Sequence, residues 1–327
     1  MNKSFLFLNR QTILSLFNPP HLIQLIEQTL YSFNSFNCFV PNRLTSSFNN
    51  HSIITMPVFS SQCLGCKVLT ITPNNIYHHI PSIFGLMILF DTNGFPLCLL
   101  DGSTLTSIRT GGIGGLAIDL LTPQNVDSVG LIGCGVQGYY QLLFACSIRK
   151  FSTIYLFNFP EMDLSPFILK LSNDLLLHNI HHHIHFVVCS SSTDVVLNSQ
   201  VIITATTSSK PVLPDTPLLY LDKTIIAIGS YLPTSRELPD AVFNEETSMF
   251  IEMDYAKKES GDILIPLKSN KLSEENIHYL IDVKRNKSLK RRTNIFKSVG
   301  MALYDNIVGY DLYRNAKEKN IGKELIL

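Results

Sequence analysis

Apolar positions Leu22, Ile23, Leu25, Ile26, Leu30 and Phe33 recur at helical spacing through "PHLIQLIEQTLYSF", behind prolines placed where a helix can begin, and predict a helix. The period then shortens. Residues 51–59, 66–72 and 85–101 are strand-like, the last run broken by Thr92-Asn93-Gly94, and Asn-Gly between apolar runs is a strong hairpin signal. This first region reads as α+β with an antiparallel sheet. "LTSIRTGGIGGLAIDLLTP" (105–123) predicts a helix ending at Pro123; its four glycines weaken it, so their use is close approach of its backbone to a neighbour or ligand. Beyond it, "SVGLI", "TIYLFNF", "IHFVVCS", "QVIITAT", "TIIAIGS" and "SMFIEMD" predict short strands alternating with helical stretches, the pattern of βαβ units around a parallel sheet. "TNIFKSVGMALYDNIVGYDLYRNAKEKNIG" returns to a long helix that would pack back on the first region.

At 327 residues the chain is long enough for two domains. Lys plus Arg equals Asp plus Glu at 26 each, which argues against a nucleic-acid partner. The exception is "KRNKSLKRR" (284–292), read as a solvated connector rather than a phosphate patch. Seven irregularly spaced cysteines without a secretory leader point to a reducing compartment, by default the cytoplasm. Cys63-Leu-Gly-Cys66 has no second pair at zinc-ribbon spacing, and His178, His181, His182, His183 and His185 have no carboxylate or cysteine at a convincing offset, so no metal is expected. "FLFL" (5–8) is too short for a leader, and no apolar stretch reaches the ~20 residues needed to cross a bilayer.

Two stretches carry chemistry. "QCLGCKVLTITPNN" (62–75) sets Lys67 at the head of a run that is otherwise apolar or hydroxylic; a buried lysine must neutralise, find a partner, or work. Gly133-Cys134-Gly135-Val136-Gln137-Gly138 follows a strand and opens a helix, a strong dinucleotide fingerprint. Its first glycine permits the turn, its second lets the backbone approach a pyrophosphate, and its third allows tight helix packing, with phosphate charge on the helix N-terminus. Twenty residues past Gly138, where an acid would hold the adenine ribose, stands Asn158, followed by Phe159 and Pro160. Neither the acid that selects NAD nor an arginine that selects NADP is present, which leaves NAD or NADP with a lean to NAD.

"VPNRL" (40–44), "MP" (56–57), "GCKVLTITPNN", "GFPLCLLDGSTLTSIRTGG", "GLIGCGVQGYYQ", "VIITATTSSKPVL", "IAIGSYLPTSRELP", "KKESGDI" and "FKSVGMALYDNIVGYDLY" together resemble the ornithine cyclodeaminase and mu-crystallin family, in family order. That family also holds an alanine dehydrogenase branch and cyclic-imine reductases. The resemblance implies an α/β fold in which a Rossmann-type parallel-sheet domain (121–292) is inserted in an α+β substrate-binding and dimerisation domain (1–120, completed by a C-terminal helix, 293–327), assembled as a homodimer. It implies that Arg43 and Arg109 bind the substrate carboxylate, that Lys67 is catalytic and touches the substrate, and that Val299 lines the substrate site. Ser82, Arg109, Thr110, Gly133, Gly135, Val136, Gln137, Gly138, Asn158, Thr206, Ala227, Ile228, Gly229, Ser230 and Ser298 fall where members touch the dinucleotide.

Two arginines can hold an α-amino or α-imino acid by bidentate, charge-assisted bonds, and the same cations with partial burial push a nearby lysine toward its neutral form. Cyclodeaminases of the family carry an aspartate in the turn after "TIIAIGS"; here the aligned residue is Tyr231, and the next acid is Glu237. A phenol with a pKa near 10 is a poor base at neutral pH. "RELP" and "KKESGDI" look more like the mu-crystallin and dehydrogenase branches. The implied function is an NAD(P)-dependent oxidoreductase acting on the C–N bond of a small amino or imino acid, as a ketimine or pyrroline-2-carboxylate reductase or an alanine-dehydrogenase-like enzyme. The alternatives are ornithine cyclodeamination to proline and ammonia, and non-catalytic ligand binding with the same pocket.

Overall fold

The computed structural model describes residues 4–33, 38–78, 80–180 and 183–327. In chain order its elements are β1 (Ser4–Leu8), α1 (Arg10–Leu16), α2 (Pro19–Ser32), β2 (Leu44–Phe48), β3 (His51–Phe59), β4 (Leu64–Ile71), β5 (Ile83–Phe90), β6 (Pro96–Asp101), α3 (Gly102–Leu121), β7 (Ser128–Ile132), α4 (Val136–Ile148) and β8 (Thr153–Phe157). There follow α5 (Ser165–Leu177), β9 (His185–Val188), α6 (Ser192–Asn198), β10 (Val201–Thr204), β11 (Thr224–Ala227), β12 (Thr247–Ile251), α7 (Ala256–Glu259), α8 (Gly261–Lys268), β13 (Ile277–Tyr279), β14 (Thr293–Lys297), α9 (Ala302–Glu318) and β15 (Lys323–Ile326). The chain divides into two compact units, Met1–Arg109 with Gly300–Leu327, and Thr110–Val299.

In the first unit the described strands form one sheet in the order β15-β1-β6-β5-β4-β3-β2. From β2 to β6 each strand pairs antiparallel with the next, and Asp91 Oδ1 closes the β5–β6 turn by accepting from Asn93 N and Phe95 N, both at 2.8 Å. The sheet is nevertheless mixed, because β1 runs parallel to β6. "FLFL", weighed above only as a leader, is the heart of β1; its partner strand lies about ninety residues away, a pairing that no local pattern reveals. Helix α2 starts at Asn18, whose side chain accepts from His21 N at 3.0 Å, and buries Leu22, Ile23, Ile26 and Leu30. Helix α9 packs on α2 and across β3, β4 and β5.

In the second unit the strand order is β13-β12-β14-β11-β10-β7-β8-β9, with every pairing parallel. From β9 to β11 this reproduces the 3-2-1-4-5 part of the dinucleotide-fold order, while β14, the last strand of this sheet in the chain, lies between β11 and β12; the order reverses between β7 and β10. Residues 293–297, assigned above to a C-terminal helix, are instead the fully buried strand β14, and the helix itself spans Ala302–Glu318. The glycines of α3 serve a neighbour: a Cβ at Gly111 would meet Phe144 Cδ2 at 2.5 Å and one at Gly114 would meet Gln141 Oε1 at 1.8 Å, so α3 lies close against α4.

The basic run at 284–292 is engaged locally. Lys290 and Arg291 donate to the backbone carbonyls of Leu120 and Glu245, and Arg292 Nε donates to Asp222 Oδ1 at 2.8 Å. Of the histidines, His178 caps α5 and His185 opens β9, while positions 181 and 182 lie outside the described residues. Among the described residues no group of three or more His, Cys, Asp or Glu could hold a metal ion, and no helix is long and apolar enough to cross a membrane.

Candidate active site

Lys67 sits on β4 between Met56 of β3 and Met87 of β5, all three buried on the sheet face that α9 covers. An ammonium removed from water needs a counter-charge. Asp305, fully buried on α9, provides it: Lys67 Nζ lies 2.8 Å from Asp305 Oδ1, and Arg109 Nε approaches the same oxygen at 3.4 Å. Arg43 Nη2 donates to the carbonyl of Gly300 at 3.5 Å. Gly300 has φ +81, and a Cβ there would meet Arg109 Nη1 at 2.7 Å, so glycine is needed both for the left-handed backbone and to leave room for the guanidinium. Lys67, Arg109 and Arg43 are thereby gathered around Asp305 and Gly300.

Burial pushes the Lys67 amine down, Asp305 pulls it back up, and Arg109 and Arg43 push it down again; the result is about 8 against an ordinary 10.5. Burial raises the Asp305 carboxyl, but the charges of Arg109 and Lys67 outweigh it and hold the group below the usual carboxylate range. Two buried atoms in the cluster, Arg109 Nη1 and Asp305 Oδ2, have no hydrogen-bond partner among the described residues. One is a donor and the other an acceptor, so a molecule offering a carboxylate to the first and an N–H to the second would satisfy both.

In the second unit the three glycines of the fingerprint do three different things. Gly133 has φ +99 and lies against the next turn, where a Cβ would meet Ala205 O at 2.6 Å. Gly135 is the N-cap of α4, makes no side-chain cap bond, and faces open space. Gly138 packs so tightly that a Cβ would lie 2.2 Å from Gly133 O. The first N–H groups of α4 therefore point where an anion can approach, with exposed Val136 beside them. Gln137 Oε1 is buried without a hydrogen-bond partner among the described residues. Asn158 braces the loop, its Oδ1 accepting from Cys134 N at 2.9 Å and its Nδ2 donating to Pro160 O at 2.9 Å; Phe159 beside it is 86% exposed. These features fit a dinucleotide.

The other predicted positions follow the sheet rim. Thr206 and Gly229 lie just past β10 and β11, and Ile228 N donates to Thr204 O at 2.9 Å. Ser230 Oγ donates to Ser235 O. Ser298 N reaches Ala227 O at 3.3 Å while its Oγ donates to Glu252 Oε1 at 2.6 Å, and Val299 packs on the core. Thr110, on α3, accepts from Gln141 Nε2 at 2.7 Å through its carbonyl. Ser82, in the first unit, turns its hydroxyl to Pro73 O at 3.4 Å rather than to the Lys67 cluster. Tyr231 is 43% exposed.

Two acids escaped the sequence reading. Asp305 lies on the buried stripe of α9 with Val308, Gly309, Leu312 and Ala316, so a carboxylate on an apolar helical face was the available signal. Glu237, noted only as too late to replace the cyclodeaminase aspartate, is fully buried and accepts from Thr204 Oγ1 (2.9 Å), Thr206 N (2.7 Å), Thr206 Oγ1 (2.8 Å) and Gly229 N (2.7 Å). Burial pushes its carboxyl up, opposed by Lys297 and the Thr206 donors and reinforced by Asp262.

The chain is similar to several named proteins along most of its length. It is 28% identical over 324 residues to a Delta(1)-pyrroline-2-carboxylate reductase of Bacillus cereus, covering 95% of this chain and 96% of that protein. It is 28% identical over 268 residues to the ketimine reductase mu-crystallin of Mus musculus, covering 80% of each. Among solved structures, Thermococcus litoralis Delta(1)-pyrroline-2-carboxylate reductase in complex with NADH and L-proline superposes with a TM-score of 0.87 at 27% identity, covering 98% of this chain and 99% of that one. The profile of the ornithine cyclodeaminase/mu-crystallin family matches residues 5–320, and the chain belongs to that family.

Proposed function

We propose that this protein is an NAD-dependent oxidoreductase acting on the C–N bond of a small amino or imino acid, with a cyclic imine such as pyrroline-2-carboxylate as its substrate class. The observation that carries this is the buried cluster in which, among the described residues, Arg109 Nη1 lacks an acceptor and Asp305 Oδ2 lacks a donor beside a lysine poised near pH 8. A carboxylate and an adjacent nitrogen complement that cluster, and the similarity to relatives named as pyrroline-2-carboxylate and ketimine reductases supports the reading.

Each residue then has a task. Arg109 and Arg43 hold the carboxylate. Asp305 orients Lys67 and accepts from the substrate nitrogen. The bound dinucleotide supplies the hydride to the imine carbon in reduction and accepts it in oxidation. Lys67 delivers one proton to the nitrogen as the C=N π bond opens, and withdraws it in the reverse direction. The fingerprint loop, with Gly133, Gly135 and Gly138, holds the pyrophosphate, and the rim residues from Thr206 to Ser298 receive the rest of the cofactor.

The first unit is the substrate and dimerisation domain, and the working form is a homodimer. The sheet face opposite Lys67 supports this. The cross-strand rows Ile53–Thr70–Phe84 and Thr55–Val68–Leu86 run over it, with Ile53, Phe84 and Leu86 about half exposed in the single chain. Apolar rows on an open sheet face call for a covering partner. Seven free cysteines fit a cytoplasmic setting.

The test is a nicotinamide absorbance assay with NADH and pyrroline-2-carboxylate, with pyruvate plus ammonia in parallel. Net NADH consumption is expected. Ammonia release from ornithine with catalytic NAD and no net redox change would instead mean cyclodeamination, and nucleotide binding without either reaction would mean a ligand binder.

A further inference from the structure

We propose that Glu237 is a positioning residue for the dinucleotide: its carboxylate clamps together the turns after β10 and β11 and so shapes the sheet rim for the nicotinamide half of the cofactor. This rests on the oxidoreductase reading above. In a parallel sheet the ligand lies outside the carboxyl ends of the strands, across the point where the strand order reverses. The glycine loop after β7 serves the phosphates, which leaves β10 and β11, on the other side of that reversal, for the second nucleotide half.

The two turns are pressed together, since a Cβ at Gly229 would lie 2.1 Å from Thr206 O and 2.5 Å from Glu237 Oε1. Their N–H groups need acceptors inside the protein. Glu237 provides one oxygen to each turn: Oε1 takes Thr206 N and Thr206 Oγ1, and Oε2 takes Gly229 N and Thr204 Oγ1. Glu237 is fixed in turn. Asp262 Oδ1 accepts from Glu237 N at 2.7 Å and from Leu238 N at 2.9 Å, while Asp262 Oδ2 lies 3.2 Å from Lys297 Nζ. All three side chains are fully buried, so the network is a closed support beneath the rim.

The experiment compares NADH and AMP binding to the full-length protein. In E237Q the amide nitrogen faces donors that a carboxylate oxygen had served, and loss of such buried charged bonds is expected to weaken NADH by about tenfold or more. AMP affinity should stay within about twofold, because the adenosine half does not use these turns. The KM for NADH should rise while kcat at saturation holds. T204V, which removes one donor below the rim, should weaken NADH in the same sense by a smaller factor and serves if E237Q fails to fold. Folded variants with wild-type NADH affinity, or equal losses for NADH and AMP, would overturn the proposal. Wild-type protein that fails to bind NADH would sink the oxidoreductase reading itself, a separate outcome.

Discussion

A lysine amine stripped of water prefers to be neutral, and a carboxylate at 2.8 Å prefers it charged; at Lys67 these pulls leave the group near pH 8. The direction of the reaction then sets the sign of the pH dependence. In the proposed mechanism reduction needs the proton on Lys67, so kcat for imine reduction should fall as pH rises through about 8. Oxidation needs the bare amine, so its rate should rise over the same interval. Asp305→Asn removes the partner that raises Lys67, and both limbs should move to lower pH in the measured profiles. Breaking a buried pair costs about 3–5 kcal/mol when the remaining charge is trapped, but Lys67 can shed its proton, so the melting shift should be smaller than that. The lysine stood out in its apolar run, and the family resemblance pointed to both arginines as candidates. Asp305 was not, because its partner Lys67 lies 238 residues away and only the packing of α9 on β4 joins them.

Among the elements, α3 shows how a local penalty serves long-range packing. Glycine in a helix costs roughly 1 kcal/mol relative to alanine, so Gly114→Ala should stabilise an isolated helix. In the protein the new Cβ would collide with the amide of Gln141, which is fully buried and tied to Thr110 O at 2.7 Å, so yielding would strain or break that bond. Overpacking of this kind costs about 1–3 kcal/mol. The clash should win, and the variant should melt below the wild type in a thermal denaturation experiment. The helix and the need for close approach were readable from four glycines in an apolar run; that the neighbour is α4 was not. Likewise "TNIFK" carries too few apolar residues to announce a strand, and only pairing with β11 and β12 makes it one.

For the whole molecule, the decisive surface is the sheet face opposite Lys67. Leu86→Asp places a charge amid Ile53, Val68 and Phe84 and should convert the proposed dimer to monomer, read by light scattering on a sizing column. A dimeric L86D variant would count against that face as the interface. The sequence by itself determined the parallel sheet and the glycine loop, because periodicity and motifs are local properties of a chain, while Arg43, Lys67 and Arg109 entered as candidates through the family resemblance. Tertiary structure alone decided that β1 joins β6, that Asp305 meets Lys67, and that Glu237 ties two turns together. Burial and counter-charge depend on which distant segments come into contact, and no window of sequence contains both halves of such a contact.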